Sequence, residues 1–331
     1  MGSKKRTRGA TLPVMIPARA PAVSAATDPP TVPGWALPRR PVTSDAEAAF
    51  LAGAALNCLD TLVRAAPAWS GAWRQRLALA GASAAVRLAG RSEDEAGLRD
   101  AFYLRQTGDA LGPAGSILLA WKRLASRSPS LDAERLRGTA DLLGIGWSAE
   151  LATLVDRVGD VVQRGAPAPF AAAALAIDVC AIRPDAELLA WWLADLVLAQ
   201  CLRWPIPVPL LIGQVHGSAF RSGGTRQRIQ LGAEGFERAV CLATVRGAAE
   251  ACRQAAEIAR RATRLAAVAP KLRAKGAGEA IQMLLDDDAV PGTLRTKNLS
   301  RWASRRLFER LTELEAVREL SGRATFRLFG L

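Results

Sequence analysis

Apolar residues recur at helical spacing along most of the chain. The first such run follows Ser44 and comprises Phe50, Leu51, Ala54, Leu59, Leu62 and Val63. This spacing is typical of a helix with one buried face. Ser44 and Glu47 stand three residues apart in front of the run, as in a capping box. We therefore predict that ordered structure begins with a helix at about residue 45.

The same pattern predicts further helices. Ser92 and Glu95 form a second capping-box pattern, and the helix behind it is predicted to run through Leu104. Another is predicted to begin near Ala114, and more fit 132–143, 148–164, 168–182, 186–202 and about 234–268. The proline-rich segment 204–209 cannot be helix interior, and a polar Gly-rich loop follows it. Strand patterns are almost absent before the end of the chain, so the fold class is predicted to be mainly α.

The pattern changes character after residue 275. It predicts one helix that ends at 286–288, a second of little more than a turn at 293–297, and a third with Ser300 as its N-cap. Segments 317–320 and 324–329 then alternate with a period of two around 321–323, which is typical of a β-hairpin. Three helices followed by a hairpin is the order of a small winged helix-turn-helix, which we predict for residues 276–331.

The third of these helices is predicted to have a basic outer face. Ala303, Leu307, Leu311 and Leu314 share one side of a helical wheel, and Arg301, Trp302 and Arg305 point away from it. A helix of this size fits the major groove of DNA, where its N-terminal outward residues reach base edges. The residues predicted to contact DNA are Lys297, Ser300, Arg301, Ser304, Arg305, Arg323 and Arg327.

Two functions are compatible with this module. The first hypothesis is a DNA-binding, regulator-like protein whose partner is double-stranded DNA. The second is a protein-interaction or assembly factor, because many winged helices only bind proteins, and a homodimer or another protein would then be the partner. Arg305 and Glu309 are one turn apart, so their pairing could also be ordinary surface chemistry.

Charge and composition set the rest of the layout. The 331 residues include 44 Lys and Arg against 31 Asp and Glu, a net charge of +13. This balance favours polyanionic partners, although the Arg preference of GC-rich bacterial coding could also produce it. Residues 1–43 are basic and Pro-rich and are predicted to be a disordered tail. Residues 44–275 are predicted to be a helical body, with one lobe or with two that divide near 205–232.

Catalytic and metal-binding motifs are not recognisable, so no enzyme activity, cofactor or metal is predicted. The five cysteines include no Cys-x-x-Cys pair, and the single histidine, His216, has no accompanying Ser or Cys motif. Glu93, Asp94, Glu95, Asp100 and Asp109 form the most enzyme-like cluster, since carboxylates could bind a metal or do acid/base work. Glu93 to Glu95 lie in a first helical turn, where acids are favoured, so the cluster is interpreted as structural. Asp195 lies in an apolar helix, and we predict that it pairs with Arg203 or with an arginine of the long helix.

The chain shows no signal-peptide pattern. Its most apolar run, 188–202, is too short to cross a bilayer and contains Asp195. The protein is therefore expected to be cytoplasmic, with no membrane partner.

Two resemblances accompany these patterns. Segment 299–331 resembles the winged helices attached to bacterial Fic-type proteins, through Leu299-Ser300, Arg306-Leu307, Leu311, Leu314, 317–319 and 321–323. His216 is followed by Gly217 and Ser218 and not by the Pro-Phe of the Fic signature, so the resemblance does not imply AMP transfer. Segments 92–124, 191–211 and 268–278 are similar to a bacterial domain-of-unknown-function family, 1403. That resemblance covers most of 45–331 and implies no activity.

Overall fold

The computed structural model describes residues 28–104, 110–221, 228–272, 274–321 and 325–331, and these are mainly helical. The α-helices, in chain order, are α1 Asp45–Ala65, α2 Ser70–Leu88, α3 Glu95–Tyr103, α4 Gly112–Leu124, α5 Ala133–Leu142, α6 Ala149–Ala152, α7 Leu154–Gln163, α8 Ala168–Ile182, α9 Glu187–Cys201, α10 Phe236–Val268, α11 Ala277–Asp286 and α12 Arg301–Glu313. Three short strands, β1 Val290–Pro291, β2 Arg318–Glu319 and β3 Leu328–Gly330, lie near the C-terminus.

One of the two predicted N-cap residues caps its helix in the structure, and the other does not. The Ser44 hydroxyl accepts a hydrogen bond from the Glu47 amide at 3.3 Å, so Ser44 caps α1 as predicted. The second capping box is wrong in position. Asp94, and not Ser92, caps α3, because its carboxylate accepts the Gly97 amide at 2.8 Å.

Ordered structure begins earlier than the prediction of a disordered tail through residue 43 allows. Val32, Ala36 and Val42 are buried, and they belong to the same apolar cluster as the core face of α1. Apolar side chains between the prolines can pack against a helix without forming one, so a proline-rich composition does not by itself imply disorder. Residues 1–27, with most of the basic charge of the tail, lie outside the described residues.

Two apolar clusters make up the interior. One gathers α4 to α9, and the other gathers α1 and the C-terminal elements. Helices α2, α9 and α10 contribute side chains to both; on α10, Val240 lies in the first cluster and Val245 in the second. These three helices connect the two clusters, and the division of the body into one lobe or two near 205–232 stays a prediction.

Helix α1 is the one described helix that is long and apolar enough to cross a membrane. In the structure it packs along α10, with Leu51, Leu59 and Leu62 buried. A buried core helix can be as long and as apolar as a membrane-spanning helix, so length and hydropathy alone do not distinguish the two.

Asp195 is fully buried on α9, and its predicted ion pair is wrong. Its Oδ1 accepts the backbone amides of Leu210 and Leu211 at 3.1 and 3.0 Å. These amides follow the proline-rich segment, which leaves them free of helical bonding. Burial raises the pKa of Asp195 to about 7, and the backbone donors only partly oppose that rise.

The C-terminal module, residues 276–331, forms two helices and a three-stranded sheet. The strand order is β1-β3-β2, and both pairings are antiparallel. The predicted helix at 293–297 is wrong. The chain makes a turn there, in which the Leu294 amide donates to the Pro291 carbonyl at 2.9 Å. The hairpin pairing of β2 with β3 is present, but the strands cover only two and three residues.

A buried ion cluster joins this module to the helical body. Asp288, just after α11, is 2% exposed and contacts both Arg76 of α2 and Arg99 of α3. The Nε of Arg99 lies 2.6 Å from the Asp288 carboxylate. Burial alone would raise the pKa of Asp288, but the two guanidinium groups outweigh it and hold that pKa below its usual value.

Asp287 extends this ion cluster to α4. Its Oδ1 accepts hydrogen bonds from Lys122 Nζ at 2.5 Å and from the Tyr103 hydroxyl at 2.7 Å. Burial and the neighbouring carboxylates raise the pKa of Tyr103 well above its usual value, so the phenol stays protonated and donates. The acidic pair after α11 therefore contacts three successive helices of the body.

Candidate functional site

An exposed basic and aromatic surface lies on the C-terminal module. Helix α12 forms one side, and the turn after β1 and the segment before β3 form the other. Two adjoining depressions of about 220 and 190 Å³ share Thr293 and Arg305. We call this surface the basic groove and define it by Arg301, Trp302, Arg305, Phe326 and Arg327.

The sequence of α12 explains why its arginines face outward. Leu307, Phe308 and Leu311 are buried against the rest of the module, and Phe308 stacks on Phe329 with ring centroids 4.8 Å apart. This packing fixes the rotation of the helix. Arg301 and Arg305, one turn apart, are consequently both exposed.

The arginines of the basic groove have little internal neutralisation. Arg301 and Arg305 have no carboxylate within 4 Å among the described residues, although Glu309 also lines the groove. The one-turn pairing of Arg305 with Glu309 is therefore not formed. Arg327 lies 3.6 Å from Glu319 and keeps 47% of its side chain exposed. The surface thus presents positive charge that is available to a ligand.

Two aromatic side chains flank these charges. Trp302 is 75% exposed and Phe326 is 63% exposed, which is unusual for residues of this size. The Arg305 guanidinium lies 6.0 Å from the centre of the Trp302 ring. An indole that stacks on a guanidinium on one face can take a planar group or an apolar chain on the other.

The structure brings together only part of the predicted contact set. Arg301, Arg305 and Arg327 lie in the basic groove. Lys297 and Ser300 are exposed beside the start of α12 but do not line the groove, and Ser300 caps the helix by accepting the Ala303 amide at 3.3 Å.

The other two residues that were predicted to contact DNA are Ser304 and Arg323. Ser304 was predicted to face outward, and this is wrong, because it is 0% exposed. The buried face of α12 is centred on Leu307 and Phe308, which turns Ser304 inward. Arg323 lies outside the described residues.

Phe326 was missed as a groove residue. In the predicted strand Phe326 alternates with Arg327, which places it on the face opposite the arginine. The strand β3 begins only at Leu328, and Phe326 has a left-handed backbone with φ of 57°. Alternation therefore does not apply to Phe326. Trp302 could have been found, because the helical wheel already places it on the outer face.

The acids suggested as a catalytic cluster serve local structure in the described residues. Asp94 caps α3, Glu93 pairs with Arg91 at 2.6 Å, and Arg99 is turned toward Asp288. Asp109 lies outside the described residues. No three His, Cys, Asp or Glu side chains in the described part of the chain are grouped as metal ligands would be.

All five cysteines are free thiols. Burial raises the pKa of Cys241 and of Cys252 to about 12 and that of Cys180 to about 11. Such thiols are weak nucleophiles, because the thiolate is the reactive form.

A family model described as protein of unknown function (DUF1403) matches residues 20–331. The chain belongs to this family. The match covers the C-terminal module together with the helical body, so the basic groove of this DUF1403 protein lies within the family's own region. Comparisons with curated proteins and with solved structures gave no match. The resemblance of the C-terminal module to the winged helices of Fic-type proteins stays a prediction.

Proposed function

We propose that this DUF1403 protein binds double-stranded DNA through the basic groove and acts as a regulator-like protein. The observation that carries the proposal is the pair Arg301 and Arg305, exposed on successive turns of α12 with no carboxylate partner in the part of the chain that the structure describes. Their chemistry suits a polyanion, and the arginine fork can bind guanine or phosphate in bidentate fashion.

The positions of α12 and β3 suggest which residues would contact the bases of the DNA and which would contact its phosphates. Arg301 and Arg305 lie in the N-terminal half of the helix, the part of a recognition helix that usually reaches base edges. Arg327 precedes β3 on the other side of the groove and would contact a phosphate. The net charge of +13 would add attraction that does not depend on the DNA sequence.

We expect Arg305→Gln in the full chain to weaken DNA binding by about tenfold, because a bidentate contact is lost. The logarithm of affinity should fall with the logarithm of salt concentration, with a slope of about −0.9 for each phosphate neutralised. Arg327→Gln should make that slope shallower by about one. Fluorescence anisotropy with labelled duplexes, first selected from random DNA, measures both quantities.

Arg310→Gln is the matched control. Arg310 lies on the same helix and is exposed, but it pairs with Glu313 at 2.9 Å and does not line the groove. Its replacement should leave affinity within about twofold, because exposed pairs contribute little. Equal losses in Arg305→Gln and Arg310→Gln would contradict the assignment to the basic groove.

A protein-interaction or assembly role is the second candidate, and the exposed Trp302 and Phe326 favour it. Exposed aromatic side chains next to arginine are the composition of protein hot spots. No DNA binding at low salt, together with a stoichiometric protein complex that Trp302→Ala abolishes, would select this function in place of the first.

A further inference from the structure

A second basic cleft lies on the helical body, and none of the residues that line it comes from the C-terminal module. It has a volume of about 650 Å³ and is bounded by the end of α4, the turn after it, and α5. Three arginines line it: Arg123, Arg127 and Arg135. Arg123 lies in the last turn of α4, Arg127 in the turn after it, and Arg135 in the first turn of α5.

Arg135 is held rigidly at one side of this cleft. Its Nη1 donates to the carbonyl oxygens of Ser128 and Ser130. Its guanidinium carbon lies 5.5 Å from the centre of the buried Trp192 ring. Its Nη2 is buried and has no hydrogen-bond partner among the described residues. The turn therefore wraps around the Arg135 guanidinium, whose position is fixed and whose Nη2 keeps an unused hydrogen-bond donor.

The charges around Arg135 are not balanced inside the protein. Burial and the nearby Arg127 both lower the pKa of Arg135, with burial the larger cause. Arg123 and Arg127 are exposed and have no carboxylate within 4 Å among the described residues. Asp132 and Glu134 also line the cleft, but the Asp132 carboxylate caps α5 by accepting the Arg135 amide at 2.7 Å. The cleft keeps a surplus of positive charge.

We propose that this cleft binds a small phosphate-class oxyanion, with Arg123 and Arg127 as direct ligands and Arg135 as a fixed positive charge. The hydroxyl groups of Ser128 and Ser130 lie 3.0 Å apart on the turn and add donors of the kind that phosphate oxygens accept. The volume lies within the range of small-molecule sites and exceeds what inorganic phosphate alone fills. An organic phosphate such as a nucleotide is therefore the expected form.

Isothermal titration calorimetry on the full chain tests the proposal with two probes, inorganic phosphate and a nucleoside monophosphate. We expect saturable binding of at least one probe and a dissociation constant about tenfold higher in Arg127→Gln. Tighter binding of the nucleotide would identify an organic phosphate, and equal binding would identify phosphate itself. Because Arg127 is exposed and has no ion-pair partner within the described segments, its replacement should leave the melting temperature unchanged.

Arg137→Gln is the control. Arg137 is an exposed arginine on the same helix as Arg135, but it lies over Trp147 outside the cleft. Absence of saturable binding with both probes, or equal weakening in Arg127→Gln and Arg137→Gln, would overturn the proposal. So would DNA affinity that falls in Arg127→Gln while neither probe binds, because the cleft would then belong to the nucleic-acid surface.

Discussion

Asp288→Asn is expected to lower the free energy of unfolding by about 3–5 kcal/mol, because it leaves two buried guanidinium groups without their shared counter-charge. Arg76 and Arg99 have side chains only 10% and 9% exposed, so water cannot replace the carboxylate at full strength. Urea unfolding followed by circular dichroism measures the loss as a lower midpoint.

Two further variants test whether the loss of stability comes from the ion cluster. Arg99→Gln should cost less than Asp288→Asn, because Asp288 keeps Arg76 as a partner. Asp286→Asn changes an exposed carboxylate two residues away and should shift the free energy of unfolding by less than about 0.5 kcal/mol. If Asp288→Asn and Asp286→Asn have the same midpoint, the ion cluster does not stabilise the fold.

Asp195→Asn is expected to remove a large part of the pH dependence of stability. The pKa of Asp195 rises from 3.8 to about 7 on folding, so between these values the folded state binds a proton that the unfolded state has lost. The contribution of this group to the free energy of unfolding is therefore greatest at low pH and falls by about 4 kcal/mol as pH rises through the folded pKa.

Urea unfolding at pH 5 and at pH 8 gives the measurement. From pH 5 to pH 8, the free energy of unfolding should fall by about 3 kcal/mol more in the wild type than in Asp195→Asn. This difference does not depend on the absolute stability of the variant. Asp141→Asn, at an exposed position on α5, should keep the wild-type pH dependence. A pH dependence that is identical in wild type and Asp195→Asn would show that the buried carboxylate does not titrate in this range.

The sequence predicted the helices whose apolar residues fall on one face. Helices α8, α9 and α10 lie close to their predicted bounds, and α1 begins where it was predicted to begin, because caps, prolines and glycines mark these positions. Helix α2 has no counterpart among the predicted elements. It is buried around most of its surface, including Gln75 and Arg76, so its polar residues hide the pattern of a helical face.

The ion cluster and the basic groove were predictable to different degrees. Arg301, Arg305 and Arg327 were found because helical spacing and the hairpin position fix where they point. The pairing of Asp288 with Arg76 was not predictable, because nothing local relates residues 212 positions apart. Ser304 was misplaced by about one position on the helical wheel, because the wheel was centred on Ala303 and Leu307 in place of Leu307 and Phe308.

The distance along the chain between the partners of the ion cluster also has a consequence for synthesis. Arg76 and Arg99 leave the ribosome long before Asp288, which follows them by 212 and 189 residues. Loop closure over such lengths is slow, and contacts of this kind form late in folding. The nascent helical body therefore carries two arginines at its future interior without their shared partner Asp288 until the C-terminal module arrives. Completion of its core then depends on a segment that is translated after the whole helical body.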